Sequence, residues 1–276
     1  MRVHTIQTGT VRVRSLQPRG RGRGTMRQLR TLADREWADP LPIQAWAIEH
    51  PEGAIVVDTG DTARTSEPGW LPRWHPYYRR CVELRVRPEE EVGPGLRRVG
   101  IEPSDVRWVV LTHLHTDHSG GLDHFPRSEV VVARDEHEAA TGVGGRLAGY
   151  LPHRWPDWLR PRLVDLPPEP FGPFESSLPL TEAGDVRLVP TPGHTPGHLS
   201  VVIDEGERLV LVGGDASYSE ELLLEGAVDG ICPDDRAASD SLERIRALAS
   251  DRPTVFLSCH DPGSAERLDA RRPLAV

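Results

Sequence analysis

With 276 residues and no composition break, the chain is long enough to bury a sizeable core, and a single domain over residues 1–276 is expected. Its formal net charge of −9 excludes a general nucleic-acid binder, whose footprint is basic, and no apolar run is long enough to span a bilayer. All 33 basic side chains are arginine, and three cysteines (Cys81, Cys232, Cys259) do not make a disulfide framework. Together with an N-terminus lacking the apolar stretch of a secretory signal, this sets a cytoplasmic expectation.

Residues 2–14 alternate Val3, Ile6, Val11 and Val13 with threonine and arginine, which predicts an edge strand or hairpin. Arg19-Gly20-Arg21-Gly22-Arg23-Gly24 follows, inside an arginine-rich loop over residues 12–35. It reads as a solvated, mobile loop, because alternating glycine prevents regular structure and no aromatic side chains interleave to stack bases. Residues 43–49 and 54–57 form a hairpin around Pro51-Glu52-Gly53 and deliver Asp58-Thr59-Gly60 at a strand end. Residues 64–80 carry Trp70, Trp74, His75, Tyr77 and Tyr78 among prolines, the composition of a long aromatic loop that serves as a lid or an interface. Residues 88–99 begin acidic and end in Arg97-Arg98, the charge order a helix dipole favours.

A buried strand at residues 108–111 then runs into Thr112-His113-Leu114-His115-Thr116-Asp117-His118-Ser119-Gly120-Gly121. Alternate residues of an extended chain share a side, so His113 and His115 reach one common point. Asp117 and His118, where a turn opens a helix, reach a second point, with Gly120 and Gly121 expected at positive φ so that the backbone folds over. Neutral imidazole and carboxylate are zinc ligands, and four of them in six positions after an apolar strand point to metal. The set is incomplete, so further ligands must come from elsewhere.

Downstream, residues 129–133 read as a strand and 134–141 as a short helix. Residues 147–162, with Tyr150, Leu151, Trp155, Trp158 and Leu159, form a second aromatic loop suited to a pocket wall. A strand at 186–189 enters Pro190-Thr191-Pro192-Gly193-His194-Thr195-Pro196-Gly197-His198. Strands at 199–203 and 208–212 are joined by a turn, and the second ends in Gly213-Gly214-Asp215-Ala216-Ser217-Tyr218. Residues 239–248 form a helix with Leu242, Ile245 and Leu248 on one side and Ser239 or Asp240 as its cap. The strand at 254–257 ends in Ser258-Cys259-His260-Asp261. His194, Asp215 and His260 thus each follow a strand end.

This order, H-x-H-x-D-H and then His, Asp and His, resembles the metallo-β-lactamase superfamily over residues 41–261. The resemblance implies an α/β fold, a four-layer αββα sandwich with the site at one edge of the two sheets. It also implies a dinuclear centre holding two Zn²⁺, with Fe, Mn or Co as compatible substitutes. His113, His115 and His194 would hold one ion, Asp117, His118 and His260 the other, and Asp215 would bridge them. Asp58 would stand behind the ligands and hydrogen-bond one of them. His198 is read as standing behind the ligands or packed in the core, since His194 completes the ligand count, and Cys259 is excluded because it points opposite to His260. The histidines at 4, 50, 75, 124, 137 and 153 are read as solvated or packed.

Asp215-Ala216-Ser217-Tyr218, the repeated Pro-Gly-His and His260-Asp261-Pro262 look like the N-acyl homoserine lactonase branch, in which the tyrosine three after the bridging aspartate binds the substrate carbonyl oxygen. Tyr218 holds that position. The implied activity is a quorum-quenching hydrolase for a small-molecule lactone or carboxylic ester, in which a metal-bridging hydroxide attacks the carbonyl, Tyr218 polarises it and Asp117 returns a proton to the leaving alkoxide. The aromatic loops would seat an acyl chain. Competing readings are a phosphoester or organophosphate hydrolase on the same centre, an iron oxidoreductase on the same fold, and a nucleic-acid processing or binding protein using the Arg-Gly tract. The resemblance also allows a homodimer with residues 64–80 as the contact, and no membrane partner is expected.

Overall fold

A computed structural model describes residues 1–276. In chain order its main elements begin with β1 (Arg2–Val13), α1 (Gly24–Ala33), β2 (Leu41–Glu49), β3 (Ala54–Val57), α2 (Pro76–Arg80), β4 (Val82–Arg85) and α3 (Val92–Arg98). They continue with β5 (Val106–Val110), α4 (Thr116–Ser119), β6 (Glu129–Ala133), α5 (Arg134–Thr141), β7 (Arg162–Val164) and β8 (Leu178–Pro179). The last are β9 (Val186–Pro190), β10 (Leu199–Asp204), β11 (Leu209–Gly214), α6 (Glu220–Glu225), α7 (Asp235–Asp251), β12 (Thr254–Ser258) and α8 (Ser264–Asp269). No helix is long and apolar enough to cross a membrane. The chain divides into two compact units, Met1–Arg14 with Glu36–Val164 and Ser15–Arg35 with Asp165–Val276, each built on one sheet.

The first unit carries a seven-stranded sheet in the order β4-β1-β2-β3-β5-β6-β7. Its β3, β5, β6 and β7 pair in parallel, and the middle pair is apolar throughout at Val109, Val110, Val130 and Val131, as strands covered on both faces must be. The apolar core joins Ala45, Ala47 and Val56 of the sheet to Val92 and Leu96 of α3 and to Leu111, Leu114, Leu122 and Phe125 around the histidine-rich turn. Each fully buried leucine or phenylalanine there contributes roughly 1.5–3 kcal/mol. Two expectations change. β1 lies inside the sheet, between β2 and β4, because its far half pairs with β4, a strand too short and polar to stand out in the sequence. Residues 64–80 are not wholly irregular: Pro76 opens the short α2, Trp70 is buried, and Trp74 stays 58% exposed.

The second unit carries a five-stranded sheet in the order β12-β11-β10-β9-β8, antiparallel except for β11 with β12. Val189, Val202, Leu211 and Phe256 of the sheet pack on Leu242, Ile245 and Leu248 of α7. That helix starts four residues earlier than residues 239–248 suggest, because the Asp234 carboxylate accepts from the Arg236 and Ala237 amides and caps it there. The arginine-rich stretch is also corrected. Past the Arg-Gly tract the chain forms α1, with Arg27 only 2% exposed, ion-paired to Asp235 at 2.7 Å and donating to the Cys232 carbonyl at 2.7 Å. Arg19 meets Glu221 at 2.9 Å and Glu225 at 2.8 Å. Partners 200 residues away order what alternating glycine alone would leave loose.

Candidate functional site

In the first unit, β5 ends at Val110 and the chain leaves the sheet as Leu111–Thr112–His113, with the Leu111 amide still donating to Val131. Beside it β3 ends at Val57, and the next residue, Asp58, donates its amide to the Val110 carbonyl and has φ +58°. That conformation is uncommon for a residue other than glycine, and it aims the carboxylate under the histidine turn. Asp58 is fully buried and accepts from the Thr112 amide (2.8 Å), the Thr112 hydroxyl (2.9 Å) and His118 Nδ1 (2.8 Å).

These contacts assign the imidazole protons. A carboxylate only accepts, so His118 carries its proton on Nδ1 and presents a lone pair at Nε2. Thr112 gives its proton to Asp58, so its oxygen, 3.2 Å from His113 Nδ1, accepts from that nitrogen, and His113 presents a lone pair at Nε2. His115 Nε2, 3.3 Å from the Ala148 carbonyl, donates there, which leaves the lone pair on Nδ1. His113 Nε2 and His115 Nδ1 then face each other at 3.0 Å as two electron-rich atoms. Such a pair is stable only around a shared cation or proton, and neutral nitrogens at this spacing fit a metal ion. Asp117 Oδ1 stands 4.0 Å from His118 Nε2.

The turn is clamped from behind. Thr59 donates from its amide (2.7 Å) and its hydroxyl (2.9 Å) to the His118 carbonyl, and the Gly120 amide donates to Gly60 at 2.9 Å. Gly120 and Gly121 are therefore needed for closeness and not for positive φ, contrary to expectation: Gly120 has φ −68° and Gly121 φ −89°. A Cβ on either would come within 2.4 Å of Asp61 Oδ1 or of the Thr59 carbonyl. Two acidic supports, Glu136 and Asp61, were not singled out from the sequence, and Tyr150 of the second aromatic loop also supports the turn. Buried Glu136 on α5 accepts from the Leu114 amide at 2.9 Å and fixes the link between the two histidines. Tyr150 lies against the His115 ring with centroids 5.0 Å apart. Asp61 accepts from Thr116 (3.2 Å) and the Thr62 amide, while burial and then the charge of Asp117 push its carboxyl up to about 7. The same unit has a cavity of about 750 Å³ on residues 65–79, walled by Pro68, Leu71, Pro72 and Tyr78 with the guanidinium-bearing Arg73 and Arg79.

In the second unit, the turn after β9 carries His194, β11 ends at Gly214 before Asp215, and β12 ends at Ser258 before His260. The structure brings these three together. His194 Nε2 is 3.5 Å from Asp215 Oδ2, and His260 Nε2 is 3.3 Å from Asp215 Oδ1, all three side chains being nearly fully buried. His194 Nδ1 faces Asp229 Oδ2 at 3.2 Å, so the proton sits there and the lone pair points at Asp215. A lone pair beside a buried carboxylate is again an arrangement that a cation satisfies. His198 cannot substitute for His194: its Nε2 accepts from the Asp215 amide at 3.1 Å and its Nδ1 meets Thr191 at 2.9 Å. Tyr218 stacks on His260 with centroids 5.3 Å apart, and its hydroxyl accepts from Gln17 Nε2 at 2.9 Å. Asp229 went unnoticed in the sequence. Its only local signal is the Asp-Gly turn, in which its other oxygen accepts from the Ile231 and Cys232 amides.

His4, His75 and His124 are engaged with Glu49, the Leu147 carbonyl and Glu91, as packed side chains. Cys81, Cys232 and Cys259 form no disulfide, and all three are buried.

Residues 38–260 match the model of the metallo-beta-lactamase superfamily. A probable metallo-hydrolase of Mycobacterium tuberculosis is 35% identical over 188 residues, which is 66% of this chain but only 57% of that protein's length. An N-acyl homoserine lactonase of a Bacillus species is 33% identical over 240 residues, covering 84% of this chain and 85% of the relative. Among solved structures, an N-acyl homoserine lactone hydrolase with the product N-hexanoyl-L-homoserine at its catalytic metal centre superposes with a TM-score of 0.73 at 23% identity. The superposition covers 96% of this chain and 94% of that one, so the mixed α/β fold with two sheets is the fold of that hydrolase.

Proposed function

Since the chain belongs to the metallo-β-lactamase superfamily, we propose that it is a metal-dependent hydrolase that opens a lactone or carboxylic ester, with N-acyl homoserine lactones as its substrate class. The observation that carries this reading is the proton assignment: His113, His115, His118 and His194 each commit one ring nitrogen to a protein acceptor and turn the other, unprotonated, toward a neighbouring electron-rich atom. In this reading His113, His115 and His194 would hold one Zn²⁺ and Asp117, His118 and His260 a second, with Asp215 as a ligand common to both. When bound, such cations supply Lewis acidity and lower the pKa of water to about 7. The Tyr218 hydroxyl donates to the substrate carbonyl oxygen and holds the charge that develops on it. Asp117, part exposed, takes up a proton and returns it to the departing alkoxide. The aromatic segments at residues 64–80 and 147–162 seat the tail of the substrate.

The test is a panel of acyl homoserine lactones beside p-nitrophenyl phosphate. Lactone ring-opening with Asp215→Ala losing metal and activity together, and Tyr218→Phe keeping metal while losing roughly 10²-fold in kcat, is the expected result. Turnover of the phosphoester with inert lactones sinks the substrate class, and a Phe variant at full rate removes Tyr218 from the chemistry.

A further inference from the structure

We infer that Gln17, on the segment leading into the Arg-Gly tract, is a positioning residue that makes Tyr218 a hydrogen-bond donor toward substrate. A phenol has one proton, and which way it points decides whether Tyr218 can help. Gln17 is 2% exposed, and its Nε2 stands 2.9 Å from the Tyr218 oxygen. Because the amide nitrogen donates, the phenol oxygen receives a proton there and keeps its own for another partner. Accepting that bond also polarises the O–H and strengthens what it donates. An acceptor in the same place would do the reverse and take the phenol proton.

Main-chain contacts hold the segment that presents Gln17. The Gln17 backbone carbonyl accepts from the Gly230 amide at 2.7 Å, and the Gly20 amide donates to the Val228 carbonyl at 3.0 Å. The approach is close enough that a Cβ on Gly230 would lie 2.3 Å from the Leu16 carbonyl oxygen. Asp34 accepts from the Leu16 amide and the Ser15 hydroxyl, and Arg19 is tied to Glu221 and Glu225 on α6. The segment therefore rests on residues 228–230, directly beside the Asp229 that orients His194, as well as on the tyrosine. Arg19, the first arginine of the tract, acts as a staple to α6, and the functional side chain is the neutral amide preceding it.

This inference rests on the proposed role of Tyr218, and the experiment separates the two. Metal content, melting temperature and kcat for lactone opening are measured for the wild type, Tyr218→Phe, Gln17→Glu, Gln17→Met and the double variants Gln17→Glu/Tyr218→Phe and Gln17→Met/Tyr218→Phe. Glutamate has the shape of glutamine, but as a carboxylate it can only accept, so Gln17→Glu should lose roughly the 10²-fold that loss of one oxyanion donor costs. Metal stoichiometry should stay at the wild-type value. The double variants should be no slower than Tyr218→Phe alone, because the two side chains act through one proton. The Gln17→Glu deficit should also shrink as pH falls and the carboxyl, once protonated, can donate again. Gln17→Met, neutral and of similar length, serves if the glutamate variant fails to fold, and it should again lose nothing further in the Phe background. Full rate in both Gln17 variants while Tyr218→Phe is impaired overturns this inference alone, as do losses that multiply in the double variants. Full rate in Tyr218→Phe overturns it together with the role given to the tyrosine.

Discussion

Replacing Asp58 by asparagine isolates the link between proton placement and metal binding. Asparagine tolerates a φ of +58° better than any other non-glycine residue, so the backbone at this strand end should survive the change. It keeps the size of aspartate yet has only one oxygen for the three donors that now converge on the carboxylate, the Thr112 amide and hydroxyl and His118 Nδ1. With that oxygen kept on the Thr112 amide, the side-chain NH₂ faces Thr112 Oγ1 and His118 Nδ1. Nδ1 must then accept, the His118 proton moves to Nε2, and the nitrogen proposed as a ligand is blocked. Losing a partner behind a metal-binding histidine costs 10–100-fold in affinity, about 1.4–2.8 kcal/mol. Competition with a chromophoric chelator should show one of two zinc equivalents weakened by that factor while the other is held as in the wild type. Two equivalents bound with unchanged affinity would refute the proton assignment, and with it the reading of His118 as a ligand through Nε2.

Two further outcomes follow from buried titratable groups. Asp61 in the folded chain has a carboxyl raised to about 7 from an ordinary value of 3.8, chiefly by burial. Between those values the folded state holds a proton that the unfolded chain has released, so stability should fall as pH rises through the window and level off above it. In chelator-treated protein Asp61→Asn should remove that fall and gain up to about 4 kcal/mol at pH 8 relative to wild type; equal urea midpoint shifts between pH 5 and 8 in both proteins would contradict it. Burial, followed by the charge of Asp229, raises the Cys232 thiol, and Cys81 and Cys259 are as deeply enclosed. Ellman's reagent at pH 8 should therefore find no fast thiol in the native protein and three in guanidinium, and a single rapid equivalent without denaturant would disprove the enclosure.

What could be read from sequence was whatever local pattern controls. The strand before the histidines, the hairpin at residues 43–57 and the helix at 134–141 follow from side-chain period and turn chemistry, and the structure has them. His113 with His115, Asp58 with His118, and Asp215 with His194 and His260 are also found together within their units. Long-range partners were not legible. Gln17 meets a tyrosine 201 residues away, and Glu136 reaches back across a strand to one backbone amide, and neither carries a local signature. The Arg-Gly tract itself is irregular and largely exposed, as its alternating glycines imply, but α1 after it was not legible for the same reason: buried Arg27 and its pairing to Asp235 leave no local signature. Gly120 and Gly121 were assigned the right importance for the wrong cause, since close approach leaves no trace in sequence that differs from positive φ.

The central claim is that unprotonated histidine nitrogens and the Asp117 and Asp215 carboxylates together hold two cations on which lactone hydrolysis depends. Elemental mass spectrometry of the purified protein, run on the same sample as a ring-opening assay with an acyl homoserine lactone, tests it most directly. Two transition-metal equivalents per chain, activity abolished by chelation and restored by zinc, is the predicted result. Undiminished lactone opening by protein with no stoichiometric metal would contradict it.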